Sequence, residues 1–183
     1  MSNRQLKRLL LLVVCTGVAL LYSHFSAPQT QTEQSGAALA AASATTTPAT
    51  YRVDRVVDGD TVVLDIEGKA TTIRLIGLDT PEVVDPKKPI QCYGPEASKE
   101  AHTLLEGVEV RLETDPTQGE FDKYGRTLGY LFLSDGTNFD EFMIRRGFGR
   151  EYTYDKPYKY QAEFKAAELQ AQVERIGLWS VCL

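Results

Sequence analysis

Val56-Val57-Asp58-Gly59-Asp60-Thr61 and, one hairpin later, Ile73-Arg74-Leu75-Ile76-Gly77-Leu78-Asp79-Thr80-Pro81-Glu82 decide how the rest of the chain is read. Two carboxylates leave one β-branched stretch, and two more leave another that carries an arginine inside an apolar run. Asp-Gly is first of all a turn signal. Asp-Thr-Pro-Glu alone also fits a strand end closed by an Asx turn. Together, four acids and a cation form an oxygen-rich cluster of the kind that Ca²⁺ takes as ligands. Arg74 sharpens the reading, because a guanidinium buried within a strand is costly unless it is paired. Its partner is either a neighbouring carboxylate such as Glu82 or a phosphate, whose oxygens match the planar fork.

Working outward, residues 51–57, 61–66 and 70–78 are β-branched and read as a three-stranded meander, turned at Asp58-Gly59-Asp60 and at Glu67-Gly68-Lys69. A loop over 79–93 carries three prolines and the pair Lys87-Lys88. Pro95 opens a helix with apolar positions Ala97, Ala101, Leu104 and Leu105, stopped by Gly107. Residues 108–112 form a fourth strand, and the polar loop 113–124 leads to a fifth over 126–133. Asn138 with Glu141 three residues on resembles a capping box, opening a short helix that ends at Gly147. Pro157 starts a last helix with the stripe Ala162, Ala166, Leu169, Val173 and Ile176, closed by Gly177. Five strands with a helix between the third and fourth, three helices in all, is the order of an α+β, mainly β, OB-type barrel.

The 183 residues suit one core domain with extensions. Arg4, Lys7 and Arg8 precede an uncharged apolar run from Leu9, so residues 1–25 read as an export signal or a retained membrane anchor. Residues 26–50 are Ala, Thr, Ser and Gln with almost no charge, too poor in large apolar groups to offset the entropy of ordering. They read as a disordered linker, which places the folded domain at 51–183. The expected location is extracytoplasmic, either secreted, periplasmic or tethered to a membrane, with the protein a monomer.

Removing the three leading basic residues and Glu33 leaves 17 Lys+Arg against 24 Asp+Glu. A domain so acidic does not attract nucleic acid through bulk charge, so an anionic ligand must be held locally by a few arginines or a metal. His24 and His102 are the chain's histidines, and no G-x-S-x-G elbow is present, which argues against histidine-pair and serine-hydrolase chemistry. Lys123-Tyr124-Gly125-Arg126 offers a second arginine, or simply an exposed loop end. Tyr152 and Tyr154, near Lys156, are either rim residues or base-stacking platforms of the kind an OB barrel uses. Cys92 and Cys182 favour a disulfide in an oxidising compartment, with two free thiols the alternative.

Several of these motifs, in order, resemble the staphylococcal nuclease (thermonuclease) family. They are Val57-Asp58-Gly59-Asp60-Thr61, Arg74 with Asp79-Thr80-Pro81-Glu82, Tyr93-Gly94-Pro95-Glu96-Ala97-Ser98, Asp122-Lys123-Tyr124-Gly125-Arg126 and Gly177-Leu178-Trp179-Ser180. The likeness spans essentially all of 51–180. It implies an OB barrel and Ca²⁺-dependent hydrolysis of DNA and RNA phosphodiesters, single-stranded or denatured chains preferred, leaving 3′-phosphates. It maps Asp60, Asp79 and the Thr80 carbonyl onto metal ligands, with Asp58 close by. Glu82 falls on the carboxylate that acts on the attacking water, as general base. Arg74 and Arg126 fall on the two phosphate-binding arginines, and Lys123 and Tyr124 on groups near the terminal phosphate. Tyr152 and Tyr154 match the nucleotide-packing tyrosines with an offset of one. Two rivals stand beside this reading: a non-catalytic OB module that only binds nucleic acid, and a metal-stabilised domain with no nucleic-acid role. Family members of this type are often basic, and the acidity of this domain is a departure from them.

Overall fold

The computed structural model describes residues 49–182. In chain order these form β1 (Thr50–Val56), β2 (Thr61–Ile66), β3 (Lys69–Leu75), β4 (Leu78–Asp79), α1 (Gly94–Leu105), β5 (Glu109–Glu113), β6 (Thr127–Phe132), α2 (Phe139–Arg145), β7 (Arg150–Glu151), α3 (Gln161–Glu174) and a single turn, α4 (Leu178–Val181). Five strands close into a barrel in the order β1-β2-β3-β6-β5, the OB-like barrel with three main helices. The signal or anchor read over 1–25 and nearly all of the linker read over 26–50 lie outside the described residues. Membrane attachment is corrected here: among the described residues no helix is long and apolar enough to cross a membrane.

The meander forms because its turns fit its strands. Glu67 and Gly68 both take positive φ (55° and 81°), the twist that a two-residue hairpin loop requires. Antiparallel pairing then runs from Ile66↔Lys69 to Thr61↔Arg74. The third strand does not continue to residue 78 as its β-branched run suggests. Ile76 donates its N–H to the Gly129 carbonyl at 3.1 Å, the chain turns at Gly77, and β4 pairs with β7 in a separate two-stranded sheet. Parallel pairing of β3 with β6, Arg74 opposite Leu128, brings the fifth barrel strand beside the arginine-bearing one.

The core is filled from all five barrel strands, among them Val53, Leu64, Ile73, Val110 and Leu131, all 0 % exposed. One face of α1 seals it through Ala97, Ala101 and Leu105. Asn138 caps α2 by accepting the N–H groups of Asp140 and Glu141. Only half of the predicted capping box forms, because Glu141 pairs with Arg145 one turn on instead of reaching back.

The last helix differs most from expectation. It starts at Gln161, not at Pro157, because Asp115 accepts the Lys159 N–H and Gln118 Nε2 donates to the Pro157 carbonyl, fixing the segment before it outside the helix. Its buried face is Phe164, Ala167 and Ala171, whereas Leu169 and Val173 of the predicted stripe are 61 % and 75 % exposed. Phe164 sets the rotation: its ring joins Tyr130, Tyr158 and Tyr160 in an edge-and-face cluster with centroids 5.5–6.2 Å away, and burying an aromatic outweighs burying a valine. Cys92 and Cys182 are joined by a disulfide with Cα atoms 5.8 Å apart across 90 residues. In the chain-entropy model, closing so long a loop contributes about 4.6 kcal/mol.

Asp115, 3 % exposed, ties the β5–β6 loop to the turn before α3. It accepts from Thr117 N and Oγ1 (2.9 and 2.7 Å), Lys159 N (2.8 Å) and Tyr130 Oη (2.9 Å). Desolvation pushes its pKa up, but these donors outweigh it and hold the carboxyl below its ordinary value. A carboxyl with a depressed folded-state pKa stabilises above its unfolded value of about 3.9 and loses that contribution as pH falls through the folded one. Asp115→Asn should therefore cost about 1–3 kcal/mol near neutral pH. In urea unfolding the gap between parent and variant should narrow below about pH 4.

Candidate active site

The site is assembled where β2, β3 and the β4–β7 pair meet. Asp60 precedes β2, and its backbone accepts Leu75 N–H at 2.9 Å, so the acid turn is stitched to the end of the arginine-bearing strand. Arg74 is 14 % exposed and Asp60 10 % as side chains, with Arg74 Nη1 2.9 Å from Asp60 Oδ1. The same nitrogen donates to the Leu78 carbonyl at 2.8 Å, and Nη2 lies 3.3 Å from Asp79 Oδ1. Arg74 is thus paired with Asp60 and Asp79, not with Glu82. The reason is reach: Glu82 is drawn onto its own turn, as described below.

Asp60 is saturated by short contacts. Oδ1 accepts Thr61 Oγ1 at 2.9 Å, and Oδ2 accepts Thr80 N and Oγ1 at 3.0 and 3.3 Å. Thr80 reaches it because Gly59 lacks a side chain. A Cβ at Gly59 would stand 2.7 Å from Thr80 Cγ2 and Oγ1, and one at Gly149 would stand 3.0 Å from the Asp79 carbonyl oxygen and 3.2 Å from Thr80 Cγ2. The Asp-Gly pair is therefore more than a turn: its glycine admits the neighbouring loop. Asp58 accepts the Asp60 N–H at 3.1 Å. Burial, and then the charge on Asp60, push the Asp58 carboxyl up to about 7. Burial and Asp60 also raise Asp79, against the pull of Arg74. Three acids stand around one guanidinium, and the charge on Asp60 adds to the burial that raises the other two.

Arg126 approaches from the turn that leads into β6. Asp122, which sequence reasoning did not single out, holds it through Nε (2.7 Å) and Nη2 (2.6 Å) and accepts the N–H groups of Arg126 and Tyr124 at 2.9 Å each. The signal was present in Asp122-Lys123-Tyr124-Gly125-Arg126, an acid that nucleates a turn with arginine four residues on. Burial raises the Asp122 carboxyl, and the donors from Arg126 and Tyr124 overcome it and hold it low. Arg126 Nη1 also lies 3.4 Å from Thr61 Oγ1. A continuous polar chain, Arg126–Thr61–Asp60–Arg74, connects the two guanidiniums.

Both arginines open into one cleft of about 570 Å³, which Asp79, Lys123, Tyr124, Tyr152 and Tyr154 also line. The tyrosines arrive there because Tyr152 donates its N–H to the Gly77 carbonyl at 3.0 Å, directly after the β4–β7 pairing. Tyr124, Tyr152 and Tyr154 are 72 %, 45 % and 69 % exposed, rim rather than core. Asp60 and Thr80 lie buried behind Arg74. Glu82 does not line the cleft. Its Oε1 accepts the N–H groups of Val83, Val84 and Asp85 at 2.8–3.0 Å, and Oε2 faces Lys88 Nζ at 4.0 Å. Those backbone donors hold its pKa below the usual carboxylate range. Among the described residues no group of three or more His, Cys, Asp or Glu side chains is disposed to hold a metal. The donors expected from the sequence are two carboxylates and a carbonyl.

The site is carried on an OB-like barrel and sets two arginines in one cleft beside buried acids. Residues 72–181 match the family described as Staphylococcal nuclease homologue. A thermonuclease of Staphylococcus hyicus is 44 % identical over 131 residues, covering 72 % of this chain and 76 % of that protein. One from Staphylococcus intermedius is 40 % identical over 129 residues, covering 70 % and 75 %. A prophage-derived endonuclease of Bacillus subtilis (strain 168) is 37 % identical over 129 residues, covering 70 % and 43 %. The chain belongs to the staphylococcal nuclease family, and nuclease activity is supported at that level.

Because Thr80 fills the space a Cβ would need, Gly59→Ala should push the Thr80 loop away from Asp60. The expected cost is about 1–3 kcal/mol in thermal or urea unfolding. Thr80→Ser, which removes the crowding methyl, should recover part of it in the double variant.

Proposed function

We propose that the protein is a Ca²⁺-dependent phosphodiesterase that cuts DNA and RNA chains, single-stranded or denatured ones preferred, and leaves 3′-phosphates. The observation that carries the reading is the convergence of Arg74 and Arg126 on one cleft, linked through Thr61 and Asp60. Two planar forks at one place suit the oxygens of a single phosphodiester. When substrate enters, each guanidinium can exchange its carboxylate for a phosphate oxygen and offset the charge that grows there.

The donor chemistry fits a hard cation: Asp60, Asp79 and the Thr80 carbonyl would hold Ca²⁺, with the balance of its oxygens from water and substrate. Burial, and after it the charge on Asp60, raise Asp58 and Asp79, and a cation among them would favour their ionised forms. When bound, the ion supplies Lewis-acid stabilisation of the phosphoryl oxygens and lowers the pKa of water. Glu82 orients the attacking water and accepts its proton. With Oε1 committed to three N–H groups, its free oxygen for that work is Oε2. Lys123 and Tyr124 sit at the rim for a terminal phosphate, and Tyr152 and Tyr154 pack against bases.

Export to an extracytoplasmic compartment accompanies this proposal. It rests on the basic and apolar start of the sequence and on the Cys92–Cys182 bridge, which persists in oxidising surroundings. A second reading, an OB module that binds nucleic acid without cutting it, draws on the position of Glu82 outside the cleft.

One assay separates them. The full chain is incubated with heat-denatured DNA in Ca²⁺ and then with a Ca²⁺ chelator, beside Glu82→Gln and Arg126→Ala. Gln retains an oxygen to accept the three N–H groups, so that variant should keep its fold. Its kcat should fall by about 10²–10⁴, and that of Arg126→Ala by about 10²–10³. Cleavage by the parent that ignores the chelator would remove the metal from the reading. Near-parent rates in either variant would remove that residue, and binding without cleavage by the parent would establish the binding module.

A further inference from the structure

Phe121 lines the same cleft and has no place in the functional reading so far. It is 54 % exposed. A lone exposed apolar residue is ordinary on a protein surface, but this one stands among cations. Its backbone is fixed on both sides of the arginine turn. Phe121 bridges Thr127, Asp122 donates its N–H to the Arg126 carbonyl at 2.9 Å, and Leu128 donates its N–H to the Glu120 carbonyl at 2.9 Å. Phe121 is therefore held one residue from Asp122, the carboxylate that orients Arg126. The ring has no polar atom, so a contact it makes in the cleft is apolar or by stacking.

Other aromatic surfaces in the cleft differ from it. Tyr152 and Tyr154 form a tilted pair with centroids 6.3 Å apart. Tyr124 already carries cations, with Lys123 Nζ 5.1 Å and Arg126 Cζ 5.4 Å from its ring centroid. We infer that Phe121 is a separate stacking surface for an unpaired nucleobase, that of the nucleotide adjoining the phosphate held at Arg126. This rests on the reading of the cleft as a nucleic-acid site and adds a base subsite to it. Every base presents a π-face, so the subsite is tolerant of sequence. It demands a base free of a duplex stack, and so it selects single strands. In an acidic domain, where bulk charge gives little attraction, apolar contacts of this kind carry more of the binding.

The test compares the parent full chain with Phe121→Ala and Phe121→Trp on a ten-residue oligothymidylate and on a set in which each base in turn is replaced by an abasic residue. Binding is read by anisotropy of the labelled strand, and cleavage by kcat and KM in Ca²⁺. Stacking strengths predict that Phe121→Ala weakens binding about fivefold or more, with kcat within about twofold and thermal stability unchanged. The parent should lose affinity at one particular abasic position, Phe121→Ala should be insensitive there, and Phe121→Trp should restore the sensitivity. Equal affinity and an unchanged abasic profile in Phe121→Ala would overturn the subsite while leaving the nuclease reading intact. Failure of the parent to bind or cut any of these strands would overturn the cleft reading itself, and the subsite with it.

Discussion

Everything at the site hangs on one ion pair that the barrel holds out of water, Asp60 with Arg74. The pair alone is no source of stability, because desolvating two charges consumes most of what their attraction returns. What it supplies is placement. Asp60 fixes the Thr80 loop through two further hydrogen bonds and, through Thr61, touches the second guanidinium. Arg74 in turn fixes the Leu78 carbonyl and the Asp79 side chain. A carboxylate and a guanidinium thus bring the turn at Asp60, the end of β3, the Leu78–Thr80 segment and the distant Arg126 to one point.

Such an arrangement holds its charged groups in reserve. Arg74 is paired with Asp60 and Asp79, and Arg126 with Asp122, so the acidic domain carries these arginines without isolated charges. A phosphate and a cation would each offer one side of these pairs a better partner. Burial first, and the Asp60 charge second, raise the Asp58 and Asp79 carboxyls against the pull of Arg74. That opposition favours exchange over a locked salt bridge.

Much of this was legible in the sequence. Alternation of β-branched residues and the Glu67-Gly68 turn give the meander, and an arginine amid Ile73 and Leu75 demands a partner wherever it is placed. Legibility failed where tertiary contacts choose between local options. Arg74 could pair with any nearby carboxylate, and Glu82 was removed from the contest by three backbone N–H groups of its own loop. The stripe read on α3 is a valid amphipathic pattern, but the aromatic cluster around Tyr130 rotated the helix to bury Phe164. Asp115 and Asp122 look like ordinary loop acids until the groups they receive, 44 and 4 residues away, are brought to them.

The Cys92–Cys182 bond turns the second half of the domain into a covalent ring. That ring contains Arg126, Phe121 and the cleft tyrosines Tyr124, Tyr152 and Tyr154, whereas Asp60, Arg74 and Glu82 lie on the stretch ahead of it. A single cut by a protease anywhere inside the ring opens it without releasing a fragment. A single cut ahead of it leaves β1–β3 held to the remainder by non-covalent contacts alone, the barrel pairing and the shared core among them. Resistance to digestion is therefore unequal along the chain: loops between β5 and α4 can be nicked and still keep their pieces together, and the exposed segment after Asp79 is where one break divides the site.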